Sequence, residues 1–182
     1  VLLYARQAGV EDFVVVTGYG RDAVERHVAA MAERLHLRVR FAFNDRWHRE
    51  NGISVLCAKE LVGDRFILLM ADHIFDPGIL ASLMATSPDP AGLVLAADFR
   101  VSRHPWVDLN DVTRLFVEDG RISRIGKQLQ PYNAFDTGIF HCTPALFEAI
   151  AESDGHGDAS LSGGVRVLAS QRQARVMDIG SR

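Results

Sequence analysis

The sequence predicts an α/β protein: a Rossmann-like, mostly parallel sheet flanked by helices, with a β-hairpin inserted late in the chain. Three observations predict it. Phe66-Ile67-Leu68-Leu69-Met70-Ala71 carries no polar side chain and no alternation, the pattern of a strand buried on both faces, and Asp72 follows at once. Gly92-Leu93-Val94-Leu95-Ala96-Ala97-Asp98 repeats that arrangement, and stretches of helical period separate such runs. Strand and helix in turn imply a parallel sheet with right-handed crossovers. Finally, Glu118-Asp119-Gly120 joins two short runs, Thr113–Val117 and Arg121–Ile125, as a hairpin turn would.

The bulk properties fit this class. A chain of 182 residues suits one domain, taken as residues 1–182, and 48% hydrophobic with 24% charged residues is the balance of a soluble globular protein. The net charge of -3 and pI near 6.2 lack the basic face that a general nucleic-acid or anionic-membrane binder needs. No apolar run approaches bilayer length, and no signal-peptide pattern opens the chain. Cys57 and Cys142 stand far apart in apolar surroundings and read as packed free thiols, so the cytoplasm is the expected compartment. The chain opens at Val1 in what reads as mid-helix, without an initiator Met, and stops just after a strand. A domain truncated at both ends is the expectation.

In order, Val1–Ala8 is helical, with Gly9 placed for a left-handed cap, and Phe13–Thr17 is a β-branched strand. After Gly18-Tyr19-Gly20 comes a helix with Ala23, Val24, His27, Val28, Met31 and Leu35 on one stripe. Arg38–Phe43 alternates Val39, Phe41 and Phe43 with a wetter face, as a strand near an edge does. The polar stretch Asn44–Gly52 leads to a helix over Ile53–Leu61, and Ile79–Met84 is helical after the central strand. Ser87-Pro88-Asp89-Pro90 breaks the chain, and a loop holding His104-Pro105-Trp106, Asp108 and Asp111 precedes the hairpin. Ala134–Phe140 again sets a carboxylate beside glycine in an apolar setting. Thr143-Pro144 reads as N-cap and first turn of a helix burying Leu146, Phe147 and Ile150. Ser160–Leu168 is a second helix, and Ala174–Ile179 a last strand.

Candidate site residues follow from position. Asp72 falls where a buried strand runs out, and open α/β sheets bind ligands in the crevice at the carboxyl ends of their strands. A carboxylate at the edge of an apolar core must be paired, hydrogen-bonded or on a metal. Helix capping and metal binding are equally good readings of Asp72 taken alone. Asn51 to Ser54 open a helix whose free N–H groups could face a base or a phosphate, although Asn51-Gly52 is also a plain turn signal. Lys127 ends the hairpin, where a lysine is ordinarily just solvated. Gly18-Tyr19-Gly20-Arg21-Asp22-Ala23 matches GxGxxA between strand and helix, which raises an NAD(P)-dependent oxidoreductase as an alternative.

Together these segments resemble the sugar-phosphate nucleotidyltransferase superfamily, and within it the inositol-1-phosphate cytidylyltransferases and related enzymes acting on small alcohol phosphates. The likeness is carried by Ala8-Gly9-Val10 leading to Val15-Val16-Thr17-Gly18-Tyr19, Asn51-Gly52-Ile53-Ser54-Val55-Leu56, Phe66–His73 and Asp108–Thr113. It continues through Ile125-Gly126-Lys127, Tyr132–Phe140 and Asp178-Ile179-Gly180, over essentially the whole chain. The resemblance implies the nucleotide-diphospho-sugar transferase type of fold and explains Gly18 and Gly20 without NAD. It implies Asp72 as the Mg²⁺ ligand and Lys127 as the contact to the acceptor's phosphate. Asn51, Gly52 and Ser54 would lie near the nucleotide, and Tyr132, Asn133, Asp136 and Gly138 on the acceptor side. The implied reaction joins CTP to a polyol or alcohol phosphate, inositol 1-phosphate first among them, giving a CDP-alcohol and pyrophosphate. No protein nucleophile is needed, since positioning and neutralisation by metal and Lys suffice. The family's glycine-rich phosphate loop would precede Val1, and a second metal-binding Asp would follow Arg182. In bifunctional relatives a membrane-embedded transferase domain follows. A non-catalytic nucleotide-sugar binding module of the same fold is the remaining alternative.

Overall fold

The structure, a computed structural model, describes residues 1–88, 92–102 and 107–180. Two sheets carry it. β1 (Asp12–Thr17) and β2 (Arg38–Phe43) pair in parallel, with Thr17 opposite Phe43, and α2 (Arg21–Leu35) connects them. The second sheet comprises β3 (Phe66–Leu69), β4 (Leu93–Asp98), β5 (Arg114–Glu118), β6 (Arg121–Gly126), β7 (Ala134–Cys142) and β8 (Ala174–Asp178). Its order is β3-β7-β4-β8-β6-β5. The helices are α1 (Leu2–Gln7), α3 (Asn51–Leu56), α4 (Pro77–Met84), α5 (Ala145–Gly155) and α6 (Leu161–Ser170).

β4 is the strand buried on both faces, and its pleat shows why. Leu93, Leu95 and Ala97 join Phe140, Leu146, Phe147, Ile150, Val165 and Leu168 in one core, under α5 and α6. Val94 and Ala96 turn the other way, to Ile139, Ile79, Leu80, Leu83 and Ala5, under α4 and α1. The α/β class and the hairpin insertion are therefore as expected, and β3, β4 and β8 run the same way. β7 differs: it lies antiparallel between β3 and β4. The chain leaves the carboxyl end of β4, makes the hairpin and re-enters the sheet from that end, so it must run back down. This brings Asp136 opposite Ala97, at the end of the sheet where Asp98 and Asp178 also stand.

Several local expectations need correction. The run Phe66–Ala71 forms a strand only to Leu69 and is half-buried, because β3 is the end strand of its sheet. Among the described residues no strand pairs with its outer side, nor with the free side of β1. On β2 it is Ala42 that is buried, while Phe43 is exposed beneath the Arg21 guanidinium, 4.7 Å from the ring centroid. His27 is exposed, as a helix-surface residue, whereas of the expected stripe α2 buries Val28 alone, together with Ala32. The helix expected over Ile53–Leu61 is α3 followed by a 3₁₀ turn, Lys59–Leu61. Pro144, not Thr143, is the N-cap of α5, and the Thr143 hydroxyl donates to the Gly92 carbonyl at 3.0 Å instead. The Asp119-Gly120 turn is as expected, with φ of +51° and +70° as a two-residue primed turn requires.

The break around Asp89 and Pro90 and the segment His104-Pro105-Trp106 lie outside the described residues. Both cysteines are free thiols, Cys142 fully buried. No helix among the described residues is long and apolar enough to cross a membrane.

Candidate active site

At the carboxyl ends of β4 and β8 and the start of β7 the fold leaves a cavity of about 850 Å³. Asp98, Arg100, Asp136, Thr137, His73 and Asp111 are among the side chains that line it, over an apolar wall that includes Phe75, Phe135 and Ile139. Asp98 is nearly buried and holds Arg100 by a two-pronged contact, Nε to Oδ1 at 2.9 Å and Nη2 to Oδ2 at 2.8 Å. Asp136 sits where β7 begins. Protein encloses its carboxyl except where it opens on the cavity, and this desolvation pushes the group up to about 6. The Gly138 N–H, donating to Oδ1 at 2.8 Å, and the nearby His73 act in the opposite sense.

Asp72 lies in the turn that follows β3, with its side chain 81% exposed. Its Oδ1 accepts a hydrogen bond from His73 Nδ1 at 2.9 Å. It does not cap α4: Asp76 does so, accepting from the Gly78 N–H at 2.6 Å with Pro77 in the first turn. Capping of α4 is therefore removed as a reading of Asp72, which stands in a turn beside its partner His73. Lys127 is ion-paired to Asp111 at 2.5 Å, and that ammonium holds the Asp111 carboxyl below the ordinary range. Neither Asp72 nor Lys127 lines the cavity; each is bonded to a residue that does, His73 and Asp111 respectively.

The remaining predicted residues are engaged in structure. Asn51 Oδ1 accepts from the Leu161 N–H at 2.9 Å and ties α3 to the start of α6. Gly52 is buried there, where a Cβ would come 2.3 Å from the Ala159 carbonyl oxygen. The Ser54 hydroxyl accepts from the side-chain amide of buried Asn44 at 3.0 Å. Asn133 clamps β5 through both halves of its amide, 2.8 Å to the Val117 N–H and 2.8 Å to its carbonyl. Tyr132 is stacked between Phe135 and the Arg114 guanidinium. Gly138, with φ of +74°, leaves space in which His73 and Met70 pack: a Cβ would stand 3.1 Å from the imidazole. None of Asn51, Gly52, Ser54, Tyr132 or Asn133 lines the cavity. Asp178 accepts from the Gly180 N–H at 2.8 Å.

The glycine pair before α2 has local reasons. At Gly18 a Cβ would fall 2.4 Å from Trp47 Cβ, and Gly20 is a left-handed N-cap. Nothing about the turn calls for a dinucleotide. Among the polar residues that line the cavity, sequence reasoning gave no site role to His73, Asp98, Arg100, Asp108, Asp111 or Thr137. For some of these the signals were present, since His73 adjoins Asp72, Arg100 follows a strand-end Asp by two residues, and Asp111 precedes the hairpin that carries Lys127.

No family model matches the chain. It is 34% identical over 151 residues to a "Bifunctional IPC transferase and DIPP synthase" of Rubrobacter xylanophilus, covering 82% of this chain and 32% of that one. The protein of the same name in Archaeoglobus fulgidus is 32% identical over 140 residues, 76% of this chain and 26% of its own. The chain thus spans about a third or less of the length of these relatives. Among solved structures, the inositol-1-phosphate CTP transferase from T. maritima superposes with a TM-score of 0.84 at 25% identity, covering 99% of this chain and 71% of that one. A UDP-glucose pyrophosphorylase bound to UDP-glucose shares the fold, with a TM-score of 0.69 at 16% identity over 97% of this chain and 76% of its own. In sequence and in fold alike, then, the chain belongs to the sugar-phosphate nucleotidyltransferase superfamily, alongside proteins named as IPC transferase and DIPP synthase and as inositol-1-phosphate CTP transferase.

Proposed function

We propose that this chain is the nucleotidyltransferase domain of a Mg²⁺-dependent cytidylyltransferase whose acceptor is a polyol or alcohol phosphate, inositol 1-phosphate being the first candidate. The observation that carries the reading is one cavity, at the carboxyl ends of the strands, lined by Asp136 together with His73 and Asp111, the side chains to which Asp72 and Lys127 are bonded. Similarity to proteins named for IPC and CTP transfer supports the choice of substrates. An acceptor phosphate oxygen attacks the α-phosphorus of CTP, the new P–O bond forms, and the α–β anhydride breaks to release pyrophosphate. Two anions must meet, so neutralisation and alignment lower the barrier, and no side chain need be a nucleophile.

Asp72 fits a magnesium site. It offers hard oxygen donors on an open turn as a single carboxylate, since among the described residues no group of three or more His, Cys, Asp or Glu could hold a metal. Mg²⁺ is held in this way, by one or two carboxylates with water and phosphate oxygens completing its shell. When bound there it would supply charge neutralisation at the triphosphate. Lys127 would exchange Asp111 for the acceptor's phosphate. Asp136, on the cavity wall, is placed to accept hydrogen bonds from acceptor hydroxyls. Asn51, Gly52 and Ser54 would act through the backbone and fold of α3 on the nucleotide side, because their side-chain positions are taken by structure.

The test uses the full-length protein with CTP, inositol 1-phosphate and Mg²⁺, following pyrophosphate release. Asp72→Asn is expected to lower turnover by about a hundredfold or more. Turnover near that of the unmodified protein would remove the metal role. Binding of CTP without any CDP-alcohol would favour a non-catalytic module.

A further inference from the structure

We infer that His73 is a positioning residue, an imidazole wedged into the space that Gly138 leaves empty so that its Nδ1–H fixes the Asp72 carboxylate at the cavity rim. The inference rests on the proposed role of Asp72 and adds a residue to it. Asp72 itself stands on an exposed turn, where a carboxylate samples several rotamers and its oxygens point wherever solvent allows. One side-chain hydrogen bond restrains it, from His73 at 2.9 Å. A carboxylate only accepts, so the proton lies on Nδ1, and this sets the tautomer.

His73 is held in turn. Its ring packs over Gly138, where a Cβ would lie 3.1 Å from both Cγ and Nδ1 and 3.0 Å from Met70 Cγ. That glycine has φ of +74°, its N–H is bonded to Asp136 and its carbonyl accepts from the Met70 N–H at 3.0 Å. A side chain at 138 would strain the backbone and press the imidazole by a few tenths of an ångström against its contact with the carboxylate. The chain of contacts Asp136–Gly138–His73–Asp72 joins the cavity wall to the turn that carries the proposed metal ligand. Gly138 thereby gains a specific role: it makes room for a side chain instead of touching substrate.

The experiment measures Mn²⁺ binding by its electron paramagnetic resonance signal, with CTP present, on the full-length protein, beside steady-state kinetics. His73→Ala is expected to weaken Mn²⁺ about tenfold or more, as loss of partners that orient metal ligands does, while the acceptor KM stays within about twofold. His73→Asn keeps an N–H donor near the Nδ1 position and should recover most of the affinity. Gly138→Ala should reproduce part of the His73→Ala loss. Unchanged Mn²⁺ affinity in His73→Ala, with Asp72→Asn deficient, overturns the inference and spares the metal role of Asp72. Unchanged affinity in Asp72→Asn overturns both. A His73→Asn protein as impaired as His73→Ala, but folded, also overturns it.

Discussion

Gly52→Ala separates a structural from a ligand-contacting role at a residue on the proposed nucleotide side. Gly52 is buried, and an added Cβ would meet the Ala159 carbonyl oxygen at 2.3 Å and both Ile150 Cγ2 and Ser160 C at 3.0 Å. The closest of these is main chain. It cannot swing aside, because Asn51 Oδ1 binds the Leu161 N–H and Ser160 caps α6 on the Gly163 N–H. Overpacking against main chain that cannot yield falls in the upper part of the usual range, about 2–3 kcal/mol, and the better helix propensity of alanine returns about 1 kcal/mol of it. A net loss of about 1–2 kcal/mol in a domain of this size lowers Tm by about 2–8 °C. Gly155→Ala is the control: it ends α5, and a Cβ there meets nothing within 4 Å. Thermal melts followed by circular dichroism, with CTP KM measured well below Tm, read both effects. If Gly52→Ala melts with the unmodified protein while its CTP KM rises, the packing argument is wrong and the residue touches nucleotide.

Asp136→Asn should show a pH-dependent gain in stability. An ordinary Asp ionises near 3.8 and this one near 6, so between those values the folded protein holds a proton that the unfolded chain releases. Stability therefore falls as pH rises through that window and stays lower above it. The gap between variant and parent should widen from pH 4 to pH 7 by up to about 3 kcal/mol, less for the part of the carboxyl open to the cavity; a gap independent of pH in urea titrations refutes this. Asn133→Ala removes two hydrogen bonds that pin β5 and should cost about 1–3 kcal/mol with little change in acceptor KM. A large KM change without loss of stability would return Asn133 to the substrate. Asp111→Asn frees Lys127 from an exposed pair and should lower the acceptor KM a few-fold at most, which initial-rate kinetics at low salt would detect; an increase would mean that Asp111 itself assists binding.

The layout of the fold was readable because burial and turn chemistry are local signals. The apolar run of β4 and the Asp-Gly hairpin turn declare themselves in a few residues. The antiparallel entry of β7 does not, since its direction is decided by where the chain emerges from the hairpin. For the candidate site, Asp72 and Asp136 stand out by their places at strand ends, Lys127 is singled out by the resemblance, and of the three Asp136 lines the cavity. What sequence could not separate was proximity to a ligand from proximity to the chain itself. Asn51, Ser54 and Asn133 are polar residues in the right segments, yet their side chains bond to Leu161, Asn44 and Val117. His73 and Arg100 were overlooked for the converse reason: beside a conspicuous carboxylate, the hydrogen-bond donor that holds it in place is easily passed over.

Among the described residues no strand pairs with the free borders of β1 and β3, and this carries a practical consequence for this stretch of chain. Each presents a row of amides and carbonyls flanked by half-buried Val14, Val15 and Val16 or by Ile67, Leu68 and Leu69. No lysine or proline interrupts either row to discourage a like chain from docking alongside. Prepared alone at high concentration, this polypeptide should self-associate through those borders, and a proline or lysine introduced at Leu68 should slow the clouding of the solution.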